Sequence, residues 1–378
     1  MADARQAWSE GGPPSRDGVA LVHDYLLTPR GAERTFAEIA AAWPGADVFT
    51  SIYDERAMGD RFEGHRVRVS GLQRLGMRQR TFRALLPLFP HAIERLPVAD
   101  RGVIVSSSSA FAHGVRPSGD AVHVCYCHAP FRYAWNELDT ALASVPAPVR
   151  PVLRRQLGRI RSWDVEASKR VTHYVANSQH TRQRIEDCYG RNARVIYPPV
   201  ETDRFGPPRE PEDYLLFVGE LTSHKRVEVA IEAAGRARRK LRVVGAGPDQ
   251  ERLAALHGDR VEFLGRVSDA QLDDLYARAE ALIVPNVEEF GITAVEAQGA
   301  GRPVLAVGRG GARETVVDGV TGVLVPDGDV DQLAEALAYT DFRTFDPQAA
   351  VANAQRFAAD RFRVEIREYV DGAALGVL

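Results

Sequence analysis

The chain contains 378 residues with a mass of 41.6 kDa, and at about 100–200 residues per domain this length favours two domains. Apolar residues make up 45% and charged residues 26% of the chain, which excludes an intrinsically disordered or collagen-like protein. The formal net charge of -3 is the sum of +7 for residues 1–200 (27 basic, 20 acidic) and -10 for residues 201–378 (21 basic, 31 acidic). Neither half is basic enough to favour a nucleic-acid partner.

Cysteine content and hydropathy indicate the compartment. Three cysteines, Cys125, Cys127 and Cys188, cannot build a disulfide framework, and their odd number indicates a reducing environment. The longest apolar run, residues 102–115, is too short to span a membrane and contains four serines. Residues 1–18 are polar and rich in glycine and proline, so we expect a flexible segment and no signal peptide. These features predict a cytoplasmic protein.

The first half of the chain alternates apolar strands with helical stretches. A strand is predicted at 19–22 and a helix at 31–42, followed by strands at 103–105, 122–126, 173–175 and 194–196. Strands joined by helices form parallel sheets that are covered on both faces. Residues 19–196 are therefore predicted to form a doubly wound α/β domain.

The second half repeats this alternation more regularly. Residues 197–211 contain five prolines and are predicted to be a stiff linker. Strands at 214–218, 241–244, 261–264, 281–284, 304–307 and 322–325 alternate with helices such as 227–238, which predicts a second doubly wound domain over 212–340. Residues 341–378 are predicted as a helical tail able to pack back on the first domain. We expect the two domains to face each other across a ligand-binding cleft.

The most informative motif follows the predicted strand at 281–284. A polar loop carries Glu288 and Glu289, and Gly291 opens a helix on which Glu296 lies eight residues after Glu288. The backbone N–H groups of Gly291, Ile292 and Thr293 can bind an anion, and a carboxylate there can accept hydrogen bonds from sugar hydroxyls. The alternative is that the acidic residues only stabilise the helix N-terminus.

A second motif follows the strand at 214–218. Lys225 and Arg226 stand at the start of a helix, where cations oppose the helix dipole. This placement favours a bound anion such as a diphosphate over the alternative of ordinary surface charges.

Three other patterns favour simpler interpretations. The run His123–His128 lacks a second ligand pair at zinc spacing, so we predict buried cysteines and a separate functional His128, with a structural histidine as the alternative. Gly245-Ala246-Gly247 lacks the third glycine of a dinucleotide-binding loop. Ser106–Ser109 lacks the glycines of a nucleophile elbow and is interpreted as a loop at a strand end.

Two segments combine arginines with apolar residues. They are residues 71–96 and 149–170. Such faces can bind an anionic membrane surface, which would place the protein peripherally on the inner face of the cell membrane. A solvated face over the core explains them equally well.

The motifs together resemble the retaining glycosyltransferases of family 4, which have a GT-B fold of two Rossmann-like domains. The resemblance rests on Glu288-x7-Glu296 with Phe290-Gly291, Val218-Gly219 with Lys225, Gly245–Pro248 and Phe263–Val267. Within that family the first half is similar to bacterial mannosyltransferases of O-antigen and exopolysaccharide assembly, through residues 23–26, 31–34, 127–135, 176–178 and 195–200.

The resemblance implies an enzyme that moves a hexose, mannose foremost, from a GDP- or UDP-linked donor to a glycan or lipid-linked acceptor, without a metal or other cofactor. It implies His128 and Glu288 as catalytic residues, Lys225, Arg226, Gly31, Gly291, Ile292 and Thr293 at the diphosphate, Glu296, Arg266 and Val267 at the ribose and base, and Arg132, Tyr133 and Trp135 on the acceptor side. Glu220 stands where the family usually carries an arginine. This departure leaves a non-catalytic nucleotide-sugar binding protein open as an alternative. A nucleotide-sugar epimerase of similar two-domain shape is a second alternative.

Overall fold

The structure is a computed structural model that describes residues 18–75 and 82–378. The predicted flexible segment 1–18, apart from Gly18, and residues 76–81 of the basic segment 71–96 lie outside the described residues. The chain divides into two compact units, Met1–Ile196 with Arg363–Leu378, and Tyr197–Phe362. Each is an α/β domain.

The first unit contains a seven-stranded sheet in the order β3-β2-β1-β4-β5-β6-β7, with every pair parallel. The strands are β1 (Val19–His23), β2 (Asp47–Thr50), β3 (Val67–Val69), β4 (Val103–Ser108), β5 (Val122–Cys127), β6 (His173–Ala176) and β7 (Ala193–Val195). The helices are α1 (Gly31–Ala42), α2 (Glu55–Met58), α3 (Phe89–Glu94), α4 (Leu138–Ala143), α5 (Arg150–Ser168) and α6 (Gln179–Tyr189). Strands β2 and β3 are not among those predicted from the sequence.

The second unit contains a six-stranded parallel sheet in the order β10-β9-β8-β11-β12-β13. The strands are β8 (Leu215–Val218), β9 (Leu241–Val244), β10 (Glu262–Gly265), β11 (Ala281–Val284), β12 (Val304–Val307) and β13 (Gly322–Val325). The helices are α7 (Val227–Arg236), α8 (Gln250–His257), α9 (Asp269–Arg278), α10 (Ile292–Gly299), α11 (Ala312–Thr315), α12 (Val330–Tyr339), α13 (Pro347–Gln355) and α14 (Ala359–Ala374), of which α14 continues into the first unit.

The central strands are buried on both faces, as parallel strands covered by helices must be. All four residues of β11 and of β12, and all six of β4, are buried. Each sheet also reverses its strand order once, between β1 and β4 in the first unit and between β8 and β11 in the second. Loops leave such a switch point in opposite directions, which opens a crevice at the carboxyl ends of the strands.

The second unit continues beyond residue 340, where the sequence analysis ended its second domain. Asn353 of α13 donates to Oε1 of Gln298 at 2.6 Å and to the carbonyl oxygen of Thr315 at 2.8 Å. Phe357 and Ala354 pack with Val295 of α10 in one apolar cluster. These contacts explain why residues 341–362 belong to the unit that contains α10.

The remainder of the tail belongs to the first unit. Arg363 pairs with Glu38 of α1, and Arg367 donates to the carbonyl oxygen of Ala42 at 2.8 Å. The guanidinium of Arg367 also lies over the ring of Trp43, 5.3 Å from its centroid. These contacts hold the last helix against α1.

A buried carboxylate fixes the loop that follows β4. Asp24, directly after β1, accepts hydrogen bonds from the backbone N–H groups of Ser109, Ala110, Phe111 and Ala112 at 2.5–3.0 Å. Buried N–H groups without partners would cost free energy, so this single side chain stabilises the loop beside the first switch point.

Candidate functional site

The loop after β11 carries Glu288 at the second switch point. Oε1 of Glu288 accepts hydrogen bonds from Nζ of Lys225 at 2.6 Å and from Nδ2 of Asn286 at 2.9 Å. Its side chain is 19% exposed and that of Lys225 is 24% exposed. Two predicted site residues, 63 positions apart, therefore meet in one partly open ion pair.

Lys225 and Arg226 come from the loop after β8. A short 3-10 helix, Ser223–Lys225, leads into α7, and Arg226 joins the two with a positive φ of 51°. This left-handed conformation is unfavourable for a residue with a Cβ. The guanidinium of Arg226 donates to the carbonyl oxygen of Pro285 at 3.2 Å. Both basic side chains thus contact the β11 loop, so they are part of a specific loop–loop arrangement.

Helix α10 begins beside Glu288 and offers its N-terminus. Gly291 caps the helix in a left-handed conformation with φ 94°, which a glycine adopts without strain. Gly291, Ile292 and Thr293 are all partly exposed, whereas Phe290 is buried in the cluster under the helix. The first N–H groups of a helix lack partners within it, so this end can bind an anion.

Glu296 is held differently from Glu288. It is 5% exposed, and its two carboxylate oxygens accept hydrogen bonds from Arg204 at 3.1 Å and from the hydroxyl of Tyr276 at 2.9 Å. Arg204 also pairs with Asp273 at 3.1 Å. Neither Arg204 nor Tyr276 is among the predicted site residues, because nothing in their local sequence marks a carboxylate partner 92 or 20 residues away.

Glycines allow the loops of this unit to pack closely. A Cβ on Gly310 would clash with the carbonyl oxygen of Glu288, and one on Gly311 would clash with the backbone of Phe290. The N–H of Gly311 donates to the carbonyl oxygen of Glu288 at 2.8 Å. The turn after β12, another feature that the sequence analysis missed, therefore fixes the backbone of Glu288.

The Gly245-Ala246-Gly247 segment has the same packing role. A Cβ on Gly245, where φ is 133°, would clash with the carbonyl oxygen of Gly219, and one on Gly247 would clash with Leu221. Close approach of two loops thus explains these glycines. Arg266, which is exposed, and Val267, which is partly exposed, follow β10, the strand beyond β9.

In the first unit, His128 follows β5 and contacts β4. Its Nε2 lies 2.8 Å from Oγ of Ser107, and its carbonyl oxygen accepts hydrogen bonds from Asn177 at 3.1 Å and Thr181 at 3.3 Å. Burial lowers the pKa of His128 to about 3, so the imidazole is neutral at pH 7. His128 can therefore exchange hydrogen bonds with a hydroxyl group but carries no charge to pair with a phosphate.

The remaining predicted residues of the first unit have mixed environments. Gly31 is the first residue of α1, and its φ is not positive. Trp135 donates from Nε1 to Asp164 at 2.7 Å, and the guanidinium of Arg161 lies 4.1 Å from its ring centroid. Arg132 lies 3.5 Å from Glu137, and Tyr133 packs edge-on against Phe131.

Cys125 and Cys127 are buried on β5, and burial raises the pKa of the Cys125 thiol to about 12. Nε2 of His123 lies 2.8 Å from Oγ of Ser106.

Within residues 18–75 and 82–378, no group of three or more histidine, cysteine or acidic side chains is arranged to hold a metal ion. In that same part of the chain, no helix combines the length and apolarity needed to cross a bilayer.

Solved structures share this two-domain fold. The UDP-glucose complex of Anabaena Alr3699/HepE aligns with a TM-score of 0.66 and 20% identity over 95% of this chain and all of that one. Sucrose-phosphate synthase of Thermosynechococcus elongatus aligns with a TM-score of 0.68 and 17% identity over 93% of this chain and 97% of its own. With the two parallel sheets, these similarities confirm the predicted GT-B fold.

Both halves of the chain match families of glycosyltransferases. Residues 29–204 match the family described as Glycosyltransferase Family 4, and residues 200–340 match the one described as Glycosyl transferases group 1. Together the two matches span residues 29–340, and they support the assignment of this chain to the family 4 glycosyltransferases. The family resemblance seen in the motifs is thereby confirmed, whereas the likeness to O-antigen mannosyltransferases stays a prediction.

Curated relatives match over part of their length. The D-inositol 3-phosphate glycosyltransferase of Mycobacterium avium (strain 104) is 33% identical over 61% of this chain and 62% of its own length. The GDP-mannose-dependent alpha-(1-6)-phosphatidylinositol monomannoside mannosyltransferase of Mycolicibacterium smegmatis is 32% identical over 50% of this chain and 56% of its own. The chain thus spans little more than half the length of these relatives.

Glu33 gives the first unit a measurable pH dependence. It is 5% exposed at the start of α1, accepts a hydrogen bond from the N–H of Arg30 at 3.1 Å, and burial raises its pKa from 4.5 to about 7. The folded state therefore binds this proton more tightly than the unfolded chain, and the associated stability is lost as the pH rises from about 4.5 to 7.

Replacing Glu33 with glutamine removes this titration and keeps the hydrogen-bond acceptor. We expect the free energy of unfolding of Glu33→Gln, relative to that of wild type, to increase by roughly 3 kcal/mol as the pH rises from 4.5 to 8. Urea unfolding across that range measures this difference. The exposed Glu63→Gln serves as control and should show no such trend. A constant difference between Glu33→Gln and wild type across the range would contradict the assignment.

Proposed function

We propose that this protein transfers a hexose from a nucleoside-diphosphate sugar to an acceptor hydroxyl, with retention of anomeric configuration and without a metal ion. The observation that carries the proposal is the meeting of Lys225, Arg226 and Glu288 beside the N-terminus of α10 within one unit. This arrangement combines cations and free N–H groups for a diphosphate with a carboxylate for sugar hydroxyls.

The chemistry follows from the charge that develops when the bond to the sugar breaks. Negative charge accumulates on the leaving diphosphate, and the ammonium of Lys225 with the N–H groups of Ile292 and Thr293 can stabilise it without reorganising. Glu288 is oriented by Lys225, Asn286 and the turn at Gly311, so its carboxylate can accept hydrogen bonds from hydroxyls in a fixed direction. Glu296 we assign to the ribose, with Arg204 and Tyr276 holding its carboxylate.

The donor and acceptor are proposed on two grounds. The motif resemblance to mannosyltransferases and the similarity to a GDP-mannose-dependent relative favour GDP-mannose. Anabaena Alr3699/HepE forms a complex with UDP-glucose, so UDP-sugars are the second class to test. For the acceptor we propose a glycan or a lipid-linked saccharide, and inositol phosphates belong in the screen because of the relatives' names. Arg132, Tyr133 and Trp135 we assign to the acceptor side.

The first test is release of nucleoside diphosphate that depends on both donor and acceptor. We expect Lys225→Ala to lower this rate about 10²–10³-fold, because it removes the cation that stabilises the leaving group. Lys240→Ala is the matched control, since Lys240 lies in the same unit with a 76% exposed side chain paired to Asp213, and it should change the rate less than twofold. Equal rates for the two variants would remove Lys225 from the diphosphate role.

Glu288 is expected to act on the sugar rather than on the diphosphate. Glu288→Gln removes the charge that holds Lys225, so binding of free nucleoside diphosphate should stay equal or strengthen, while transfer falls by at least about tenfold. Calorimetric titration and transfer assays on the same preparation measure the two effects. The neighbouring Glu289→Gln provides the control. Parallel loss of diphosphate binding and transfer in Glu288→Gln would show that the residue only maintains the loop.

We propose in addition that α5 contacts an anionic membrane surface. Val149 and Val152 are 45% and 57% exposed, and Arg154 and Arg155 beside them are exposed as well. Arginines attract anionic lipid while small apolar side chains enter the interface. Flotation with phosphatidylglycerol vesicles should recover the protein, and the Arg154→Glu/Arg155→Glu variant should not bind. The control variant Arg260→Glu/Arg343→Glu makes the same charge change at two exposed arginines outside α5. Equal binding by the two variants would contradict a role for α5.

A further inference from the structure

Three consecutive serines of β4 each contact a histidine side chain. Ser106 contacts His123, Ser107 contacts both His23 and His128, and Ser108 contacts His113. All three serines are at most 2% exposed. Ser107 is the one whose hydroxyl lies between two imidazoles, at 3.1 Å from Nδ1 of His23 and 2.8 Å from Nε2 of His128.

Strand register explains why Ser107 differs from its neighbours. His23 of β1 is the register partner of Ser107, and Tyr126 of β5 is its partner on the other side. Because side chains alternate along a strand, Ser107 lies on the opposite face from Ser106. The ring of His128 lies 5.2 Å from that of Tyr126 and 6.4 Å from that of His23, measured between centroids.

The proton count at Ser107 links the two imidazoles. Burial lowers the pKa of His23 and of His128 to about 3, so each ring is neutral at pH 7 and carries one N–H. A hydroxyl group donates one hydrogen and accepts others. When the hydroxyl of Ser107 donates to Nε2 of His128, it must accept a hydrogen bond from the Nδ1–H of His23. When it donates to Nδ1 of His23, it must accept one from the Nε2–H of His128.

We propose that Ser107 is a positioning residue that couples the tautomer of His128 to that of His23. Both rings then carry their proton on Nδ1, or both carry it on Nε2. Since Nε2 of His128 faces Ser107 and the residue is partly exposed, the coupling decides whether its Nδ1 donates to or accepts from a ligand hydroxyl. The consequence for transfer rests on the function proposed above, whereas the coupling itself does not.

Long-range 1H–15N spectra of histidine-labelled protein at pH 7 test the coupling directly, because they report the tautomer of each ring. We expect His23 and His128 to show the same tautomer in the wild-type chain, with assignments made from His23→Gln and His128→Gln. Opposite tautomers in the two rings would overturn the proposal. This result requires neither a substrate nor a stable Ser107 variant.

The variants Ser107→Ala and Ser106→Ala make the same change on opposite faces of one strand. Ser107→Ala should shift the ring 15N resonances of both His23 and His128, whereas Ser106→Ala should shift those of His123 alone. Ser107→Ala should also lower kcat for transfer about tenfold, the effect of one hydrogen bond, with donor KM within twofold of wild type. Ser106→Ala should keep both constants near wild type.

The outcomes separate the two proposals. If the wild-type protein transfers no sugar but the tautomers agree and respond only to Ser107→Ala, the proposed function fails and the coupling stands. If the wild-type protein transfers sugar and the two serine variants have the same kcat, Ser107 does not position His128 for the reaction. Resonance shifts of His23 and His128 in Ser106→Ala would also overturn the assignment.

Discussion

The ion pair between Lys225 and Glu288 is the interaction on which the candidate site depends. It joins the loops that follow β8 and β11, the two strands that flank the switch point of the second sheet. Near a helix start a lysine is electrostatically unfavourable and a glutamate is favourable. The contact between Lys225 and Glu288 places both side chains beside the N-terminus of α10. The two side chains neutralise each other, so on the proposed function a diphosphate that binds Lys225 must compete with this carboxylate.

The first unit supplies a different kind of chemistry. His23, His128 and Ser107 form a neutral hydrogen-bonding group at the carboxyl ends of β1, β4 and β5, and the single carboxylate of Asp24 fixes the adjacent loop through four backbone N–H groups. The charged residues of the candidate site, Lys225, Arg226 and Glu288, lie in the second unit.

The predictions that could be made from the sequence depend on the periodicity of apolar residues and on short motifs. The helix at 31–42 and the strands at 281–284, 304–307 and 322–325 agree with the structure residue by residue, because buried parallel strands are continuous apolar runs. Lys225 and Glu288 were identified because each follows such a strand. Strands β2 and β3 were missed, since Asp47 and Thr50 in β2 and Arg68 in β3 interrupt the apolar run that marks a buried strand. Ser107 was assigned to a loop, although it lies in β4. Gly310, Gly311, Arg204 and Tyr276 were missed for a different reason. Their roles are contacts with residues distant in sequence, which no local pattern records.

The most direct test of the account is a crystal structure of the full chain with GDP or UDP bound. We predict a diphosphate oxygen within about 3 Å of Nζ of Lys225 and of a backbone N–H at the start of α10, with the Lys225–Glu288 contact opened or shared. A diphosphate bound at other loops, with Lys225 still held only by Glu288, would contradict it.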